Sequence, residues 1–73
     1  MTVIPFELRG GEDDYIQLIQ LLKATNCVYT GSEAQEVVTA GLVNRNGVVE
    51  LRKRAKIVRG DVIEFDQYRI EVL

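Results

Sequence analysis

The sequence predicts an α+β fold in which two helices pack on a small, mainly antiparallel sheet. The apolar residues of the first half recur at helical spacing, and strand-like segments on both sides of an Asn-Gly turn dominate the second half. With 73 residues, 47% of them hydrophobic, we expect a single domain over residues 1–73. A domain of this size buries only roughly 60% of the surface of its unfolded chain, so function is expected on a surface or an edge.

The chain begins with a segment that suits an edge strand and continues into a first helix. Residues 1–10 are interpreted as an N-terminal extension or edge strand, because Thr2–Leu8 is β-prone but contains Pro5, which cannot donate to a sheet ladder. After Gly10-Gly11, three acidic residues occupy positions that a helix dipole favours. The apolar residues at helical spacing are Tyr15, Leu18, Ile19 and Leu22. They predict a helix from about Glu12 to Thr25, with Asn26 as its stop.

A second helix is predicted to end at Ala40. Its start carries two overlapping capping boxes, Thr30 with Glu33 and Ser32 with Gln35, and either one would satisfy free backbone amides. One face of this helix is apolar, formed by Ala34, Val37 and Val38. Gly41 follows and supplies the left-handed conformation that commonly ends a helix.

Strands are predicted for the remainder of the chain. Leu42–Arg45 and Val48–Leu51 flank Asn46-Gly47, the dipeptide best suited to a type I′ hairpin turn. A basic stretch, Arg52–Lys56, comes next. It is followed by Ile57-Val58, a turn at Arg59-Gly60-Asp61, and two strands, Val62–Phe65 and Tyr68–Val72, that are joined near Asp66-Gln67.

The net charge of −2 conceals an uneven distribution. From Arg45 to Arg59 there are six basic residues and one acid, Glu50, which gives +5; the rest of the chain has three basic residues and ten acids, which gives −7. A basic segment on an acidic body can hold a polyanion in one orientation while the body repels it elsewhere. The alternative is that the basic run is only a solvated loop.

Composition argues against most enzymes. The chain has no His and a single Cys, so it cannot form Ser-His or Cys-His nucleophilic pairs, His metal sites or Cys-x-x-Cys sites within one copy. We therefore expect no cofactor, no small-molecule substrate and no catalysis. Cys27 is interpreted as a small buried apolar residue. Without a disulfide, a signal peptide or a membrane span, a cytoplasmic location is expected.

Several of these segments together resemble a known family. They are Thr30-Gly31-Ser32-Glu33-Ala34, the helix end at Gly41, Val43, Asn46-Gly47, Arg52-Lys53-Arg54-Ala55-Lys56-Ile57-Val58 and Gly60-Asp61. Their order is similar to the alpha-L RNA-binding motif, the RNA-binding domain named after the fourth protein of the small ribosomal subunit. The resemblance covers roughly residues 16–73 and is greatest to short stand-alone bacterial members. It implies binding to structured RNA, often ribosomal, and association with ribosomal particles.

The resemblance also implies a set of contact residues. In the hairpin and loop they are Arg45, Asn46, Gly47, Arg52, Lys53, Arg54, Lys56 and Arg59; in the second helix they are Gly31, Ser32 and Gln35. Many members carry Arg-Leu-Asp where this chain has Gln17-Leu18-Ile19, and Arg where it has Gly31 and Gln35. The basic loop must then supply most of the electrostatic attraction, aided by helix amides near Gly31 and Ser32 that can accept a phosphate.

Each implied contact has a structural alternative. Arg45 can lean its stem on the core and extend its charge outward, Asn46-Gly47 can be turn chemistry alone, and Ser32 and Gln35 can be caps alone. If the basic stretch is extended, Arg52, Arg54 and Lys56 project to one side and Lys53 to the other. No aromatic residue lies within the basic run, and Tyr15 and Phe65 are expected in the core. Recognition of RNA shape and backbone is therefore expected rather than base stacking.

Two competing functions remain. A protein-interaction adaptor would use the acidic first helix and the edge strand, with the basic loop solvated or facing an acidic partner. An enzyme is disfavoured because Asp13-Asp14 is expected at an exposed helix start and no nucleophile has a base beside it.

Overall fold

The structure, a computed structural model, describes residues 1–9 and 14–73. Its helices and strands are, in chain order, β1 (Thr2–Phe6), β2 (Ile16–Gln17), α1 (Leu18–Ala24), α2 (Gly31–Thr39), β3 (Val43–Arg45), β4 (Val48–Val49), β5 (Lys56–Ile57), β6 (Val62–Phe65) and β7 (Tyr68–Val72). The α+β class is confirmed. Neither helix in the described part of the chain is long and apolar enough to cross a membrane.

The strands form one larger and one smaller sheet. The larger sheet has the order β1-β7-β6-β3-β4, in which β1 pairs with β7 in parallel and the other neighbours pair antiparallel. As predicted, β1 lies at an edge, where Pro5 requires no ladder donor. The smaller sheet consists of β2 and β5, with Ile16 opposite Ile57 and Gln17 opposite Lys56.

The Asn46-Gly47 hairpin is confirmed. Asn46 has φ of 52° and Gly47 has φ of 84°, so both central residues adopt the positive values that a type I′ turn needs. The turn reverses the chain between β3 and β4, placing Arg45 opposite Val48. The backbone at this point is therefore set by local chemistry.

Helix α2 forms with the first of the two capping boxes. The Thr30 hydroxyl accepts a hydrogen bond from the Glu33 amide at 3.1 Å, and the Glu33 carboxylate accepts one from the Tyr29 amide at 2.7 Å. Ser32 lies inside the helix, one residue after its start. The helix ends at Thr39, and Gly41 has the expected positive φ of 76°.

The predicted extent of the first helix is wrong. Residues 10–13 lie outside the described part of the chain, and α1 begins at Leu18 rather than near Glu12. Ile16 and Gln17 pair as a strand with β5 instead. Because this pairing joins segments that are about forty residues apart, it overrides the local helical spacing. The stop at Asn26 is confirmed by its φ of 61°.

One hydrophobic core joins both helices to the sheet. Its fully buried side chains are Leu18, Leu21 and Leu22 from α1, Val38 from α2, Val43 from β3, Ile57 from β5, Ile63 from β6 and Ile70 from β7. Phe65 packs against this core, as expected, and Cys27 is partly buried there, which raises the pKa of its thiol. The expectation that Tyr15 lies in the core is wrong, since this residue is 45% exposed and precedes α1.

Candidate nucleic-acid interface

The basic loop, residues 52–56, is a turn rather than an extended segment. The Ala55 amide donates to the Arg52 carbonyl at 3.2 Å, and the chain bends at residues 53 and 54 before entering β5. The extended backbone on which the alternating row of Arg52, Arg54 and Lys56 depended is therefore not present. These three residues nevertheless line one groove, and Lys53 is not among its lining residues.

Two apolar residues and the first turn of α1 hold the basic loop in place. Ala55 is 4% exposed and Ile57 is fully buried, so both point into the core. The Leu18 amide donates to the Ala55 carbonyl at 3.0 Å, and the Ile19 amide donates to the Lys53 carbonyl at 3.2 Å. These two amides are free donors at a helix start, and the loop satisfies them. The loop backbone is thus fixed while its charged side chains remain exposed.

The basic loop lines an open groove of about 460 Å³. Its lining residues are Arg45, Arg52, Arg54, Ala55 and Lys56. Arg54 and Lys56 are exposed, as is the neighbouring Lys53. Four cationic side chains around one concave surface give a region of concentrated positive potential on a molecule whose net charge is −2.

Glu50 fixes the position of Arg52. One Glu50 oxygen accepts from Arg52 Nε at 3.0 Å and the other from Arg52 Nη2 at 3.0 Å, while the Arg52 amide adds a third hydrogen bond at 3.2 Å. Arg45 Nη1 lies 3.5 Å from the same carboxylate. The hydrogen bond from Arg52 is the main reason that the pKa of Glu50 falls to about 2, against the opposing effect of burial. Glu50 therefore orients the Arg52 guanidinium and also neutralises part of its positive charge.

Arg45 is directed inward by a second carboxylate. Its Nη2 atom lies 2.9 Å from Asp61 Oδ2 and 2.9 Å from the Lys56 carbonyl oxygen, to both of which it donates. Asp61 also accepts from the Val58 amide at 2.9 Å and from Asn46 Nδ2 at 3.0 Å. Burial alone would raise the pKa of Asp61, but these hydrogen bonds outweigh burial and lower it. Arg45 thus links β3 to the basic loop rather than extending freely into solvent.

Tyr15, the residue before β2, approaches the basic loop. Lys56 Nζ lies over the Tyr15 ring, 4.9 Å from its centroid, a cation–π contact. The two residues are neighbours because Gln17 of β2 pairs with Lys56 of β5. An aromatic side chain therefore accompanies the basic loop in space, although none lies within it in sequence.

The other residues implied by the resemblance lie in three places. The side chain of Asn46 makes two hydrogen bonds in addition to forming the turn. Its Oδ1 accepts from the Val62 amide at 2.8 Å, and its Nδ2 donates to Asp61. Gly47 is exposed at the tip of the same turn. Arg59 donates to the Leu8 carbonyl and so ties its own turn to the segment after β1.

Gly31, Ser32 and Gln35 belong to the first turns of α2. Ser32 and Gln35 are exposed and Gly31 is partly exposed. Among the described residues, no hydrogen bond or ion pair joins these three to the basic loop. The structure therefore brings together the cations of the hairpin and loop, and leaves the start of α2 as a separate element.

Sequence reasoning missed three residues of the interface: Glu50, Asp61 and Tyr15. Glu50 carried a usable signal, since it is the single acid among the basic residues from 45 to 59. Asp61 was visible only as part of the family-like Gly60-Asp61 segment, and neither its pairing with Arg45 nor that of Tyr15 with Lys56 had a local signal, because these partners are 16 and about 40 residues away in the chain. Only the folded chain places them beside the cations.

Comparison with known proteins identifies a family and relatives to which the chain is similar. The family model of the S4 domain matches residues 8–73. The chain is 33% identical over 63 residues to the YbcJ protein of Escherichia coli K12, described as a candidate RNA-binding protein, and equally to YbcJ of Shigella flexneri; each match covers 86% of this chain and 90% of the relative.

A solved structure shares the fold. The solution structure of Escherichia coli YbcJ, described as revealing an αL motif involved in RNA binding, superposes with a TM-score of 0.73 at 30% identity. The alignment covers all of this chain and 90% of that one. The match therefore extends over both helices and both sheets rather than one motif. With the family model matching residues 8–73, the chain belongs to the S4 domain family.

Proposed function

We propose that residues 1–73 act as a single noncatalytic RNA-binding domain that holds structured RNA, of the ribosomal class, through the basic loop. The observation that carries the proposal is the groove lined by Arg45, Arg52, Arg54 and Lys56. Membership of the S4 domain family and the RNA-binding description of the relative support it. In this proposal ribosomal particles are the partner.

The cations of the groove and of the basic loop divide into two kinds. Arg45 and Arg52 are balanced by Glu50 and Asp61, so these four side chains sum to zero charge. Lys53, Arg54 and Lys56 then leave a surplus of +3 on an exposed, fixed turn. Such cations suit phosphate, which Arg can bind through two hydrogen bonds and Lys as a mobile point charge.

This division predicts the salt dependence of binding. Three phosphate contacts at roughly 0.7 to 0.9 each give a slope of about −2 to −3 in a plot of log affinity against log salt concentration. The secondary contacts proposed for Arg59, for the hairpin tip at Asn46 and Gly47, and for the start of α2 at Gly31, Ser32 and Gln35 would make the slope steeper, by roughly 0.7 to 0.9 for each added phosphate.

The test is fluorescence anisotropy of a labelled ribosomal RNA hairpin over a salt series. The informative variant is Arg54→Glu, since Arg54 is exposed and makes no ion pair within the described residues. The matched control is Lys23→Glu, an exposed residue of the last turn of α1 that lines no part of this groove. Both substitutions change the net charge by −2.

The two variants give opposite expectations. Arg54→Glu should weaken binding by about ten-fold or more and reduce the magnitude of the salt slope by roughly 0.7 to 0.9 for the lost contact, and further if the new carboxylate repels a neighbouring phosphate. Lys23→Glu should leave both within error. Equal weakening by the two variants would indicate a response to net charge and would reject the basic loop as the site.

A second candidate, a protein-interaction adaptor, has one observation in its favour. Four apolar residues around the β3–β4 hairpin are more than half exposed: Leu42, Val48, Val49 and Leu51. They adjoin β4, an edge of the larger sheet, which is open to pairing. Within the described residues, α1 begins at Leu18 and has no acid in its first turn, so α1 does not supply the acidic helix expected for this function; Glu12 and Asp13 lie outside those residues. A protein partner captured after nuclease treatment and lost in Val48→Thr/Val49→Thr would favour the adaptor.

A further inference from the structure

Tyr15 lies beside Lys56, one of the residues that line the groove. The Lys56 ammonium is 4.9 Å from the centroid of the Tyr15 ring. Asp14 precedes Tyr15 directly in the chain. Tyr15 is 45% exposed, in contrast to the fully buried leucines of α1 that follow it.

This environment suits a nucleobase rather than a phosphate. The negative charge of Asp14, the neighbour of Tyr15 in the chain, disfavours a phosphate at the ring, whereas a neutral base meets no such penalty. A base can stack on an exposed aromatic ring irrespective of its sequence, because every base has a π face. Lys56 can meanwhile pair with the phosphate of the same or the adjacent nucleotide, since it contacts Tyr15 and lines the groove.

The position of Tyr15 is fixed by the fold. The backbone that follows it is held by the β2–β5 pairing of Ile16 with Ile57 and by the hydrogen bond from the Leu18 amide to the Ala55 carbonyl. A ring on a fixed backbone loses little conformational freedom when it stacks, so more of the stacking energy appears as affinity.

We propose that Tyr15 and Lys56 form a subsite for one unpaired nucleotide at the end of the basic groove. The base stacks on Tyr15, and its phosphate pairs with Lys56. The preferred RNA is then a helix interrupted by a bulge or ended by an unpaired nucleotide, rather than a continuous duplex. This inference rests on the proposed RNA-binding function and adds the class of RNA that the protein selects.

The test uses two RNAs and a fluorescent reporter. One RNA is a blunt duplex, and the other is the same duplex with a single unpaired adenosine. Because the chain has no Trp, Tyr15→Trp introduces a unique fluorophore at the subsite. Val3→Trp is the matched control, because Val3 is exposed on β1, at the opposite edge of the larger sheet from the β3–β4 hairpin. Anisotropy of labelled RNA reports binding independently of both reporters.

Stacking predicts a specific pattern. The indole fluorescence of the Tyr15→Trp variant should be quenched at saturation by the bulged duplex but not by the blunt one, and that of the Val3→Trp variant by neither. Tyr15→Ala should weaken binding of the bulged duplex by about 5- to 150-fold, the range expected for one stacked base, and leave the blunt duplex within two-fold or so. Tyr15→Phe, which keeps the ring, should retain the preference for the bulge.

The failure of this inference differs from the failure of the proposed function. If the wild type binds both RNAs equally and Tyr15→Ala weakens both alike, Tyr15 only supports the loop and the subsite is rejected, while RNA binding stands. If circular dichroism confirms folding and neither RNA raises the anisotropy, both proposals fall.

Discussion

Glu50 and Arg52 form a two-point ion pair across a separation of two residues, with both nitrogen–oxygen distances at 3.0 Å. The Glu50 side chain is 11% exposed, whereas the Arg52 side chain is 74% exposed. The carboxylate is therefore part of the folded scaffold and the guanidinium is part of the surface. A buried acid here orients a surface cation, so that its geometry is established before any ligand arrives.

The first prediction concerns acid stability. The pKa of Glu50 is about 2 in the folded protein, below its ordinary value of 4.5. A carboxylate with a lowered pKa stabilises the fold fully above pH 4.5 and loses that contribution as the pH falls towards 2, because the unfolded state takes up its proton first. Glu50→Gln should lower the free energy of unfolding at neutral pH by about 1 kcal/mol, since Arg52 is largely exposed and water competes for it.

Urea denaturation at a series of pH values measures this effect. The decline of stability between pH 4.5 and 2 should be shallower in Glu50→Gln than in the wild type, with a remainder from Asp61, whose pKa is also lowered. Glu36→Gln, an exposed position on α2, serves as the control and should follow the wild type. Superimposable acid profiles of Glu50→Gln and wild type would contradict the role assigned to Glu50.

The second prediction concerns Asp61. This carboxylate is 8% exposed and accepts hydrogen bonds from the Val58 amide, Asn46 and Arg45. Asp61→Ala leaves two donors and a guanidinium without their acceptor, so the free energy of unfolding should fall by about 2 to 4 kcal/mol. The measurement is urea denaturation at neutral pH. Glu64→Ala on the adjacent strand β6 should change stability by no more than about 0.5 kcal/mol; a similar small change in Asp61→Ala would remove Asp61 from the scaffold.

The local elements were predictable from sequence because their signals are local. Asn46-Gly47 specifies its own positive φ angles, and Thr30 with Glu33 caps α2 within four residues. The start of α1 was not predictable in this way, since Ile16 pairs with Ile57 across the chain. The same applies to the interface: the cations of the basic loop are visible as a run, but the inward direction of Arg45 depends on Asp61, sixteen residues later. Pairings of this kind exist only once the sheet has assembled.

The third prediction isolates the backbone of the hairpin turn. Gly47 has φ of 84°, and a Cβ added there would meet no atom within 4 Å. The cost of Gly47→Ala is therefore conformational, about 1 to 2 kcal/mol for a left-handed residue. Gly31 is equally uncrowded but lies in α2 without a positive φ, so Gly31→Ala should leave stability unchanged or raise it by up to about 1 kcal/mol. Thermal denaturation followed by circular dichroism compares the two; a loss of the same size at both positions would argue against strain at Gly47.

The last prediction asks whether the start of α2 faces RNA. Many members of the family carry Arg at the positions of Gly31 and Gln35, and Gln35 is exposed one turn after Gly31. Gly31→Arg/Gln35→Arg should then add up to two phosphate contacts, raising affinity at low salt and steepening the log–log salt slope by roughly 0.7 to 0.9 per contact. Gly31→Ala/Gln35→Ala controls for helix propensity and should keep the wild-type slope.

The location of the new charge is as informative as its amount. Gln67→Arg, in the exposed turn between β6 and β7, adds a positive charge outside both α2 and the basic loop. If this variant steepens the salt slope as much, per added charge, as the α2 substitutions do, the response reflects net charge and α2 makes no contact. If only the arginine variant of α2 steepens the salt slope, the bound RNA spans from the basic loop to α2. In the wild type, which has Gly31 and Gln35 instead of arginines, this second contact is then weaker, because backbone amides of α2 have to bind the phosphates.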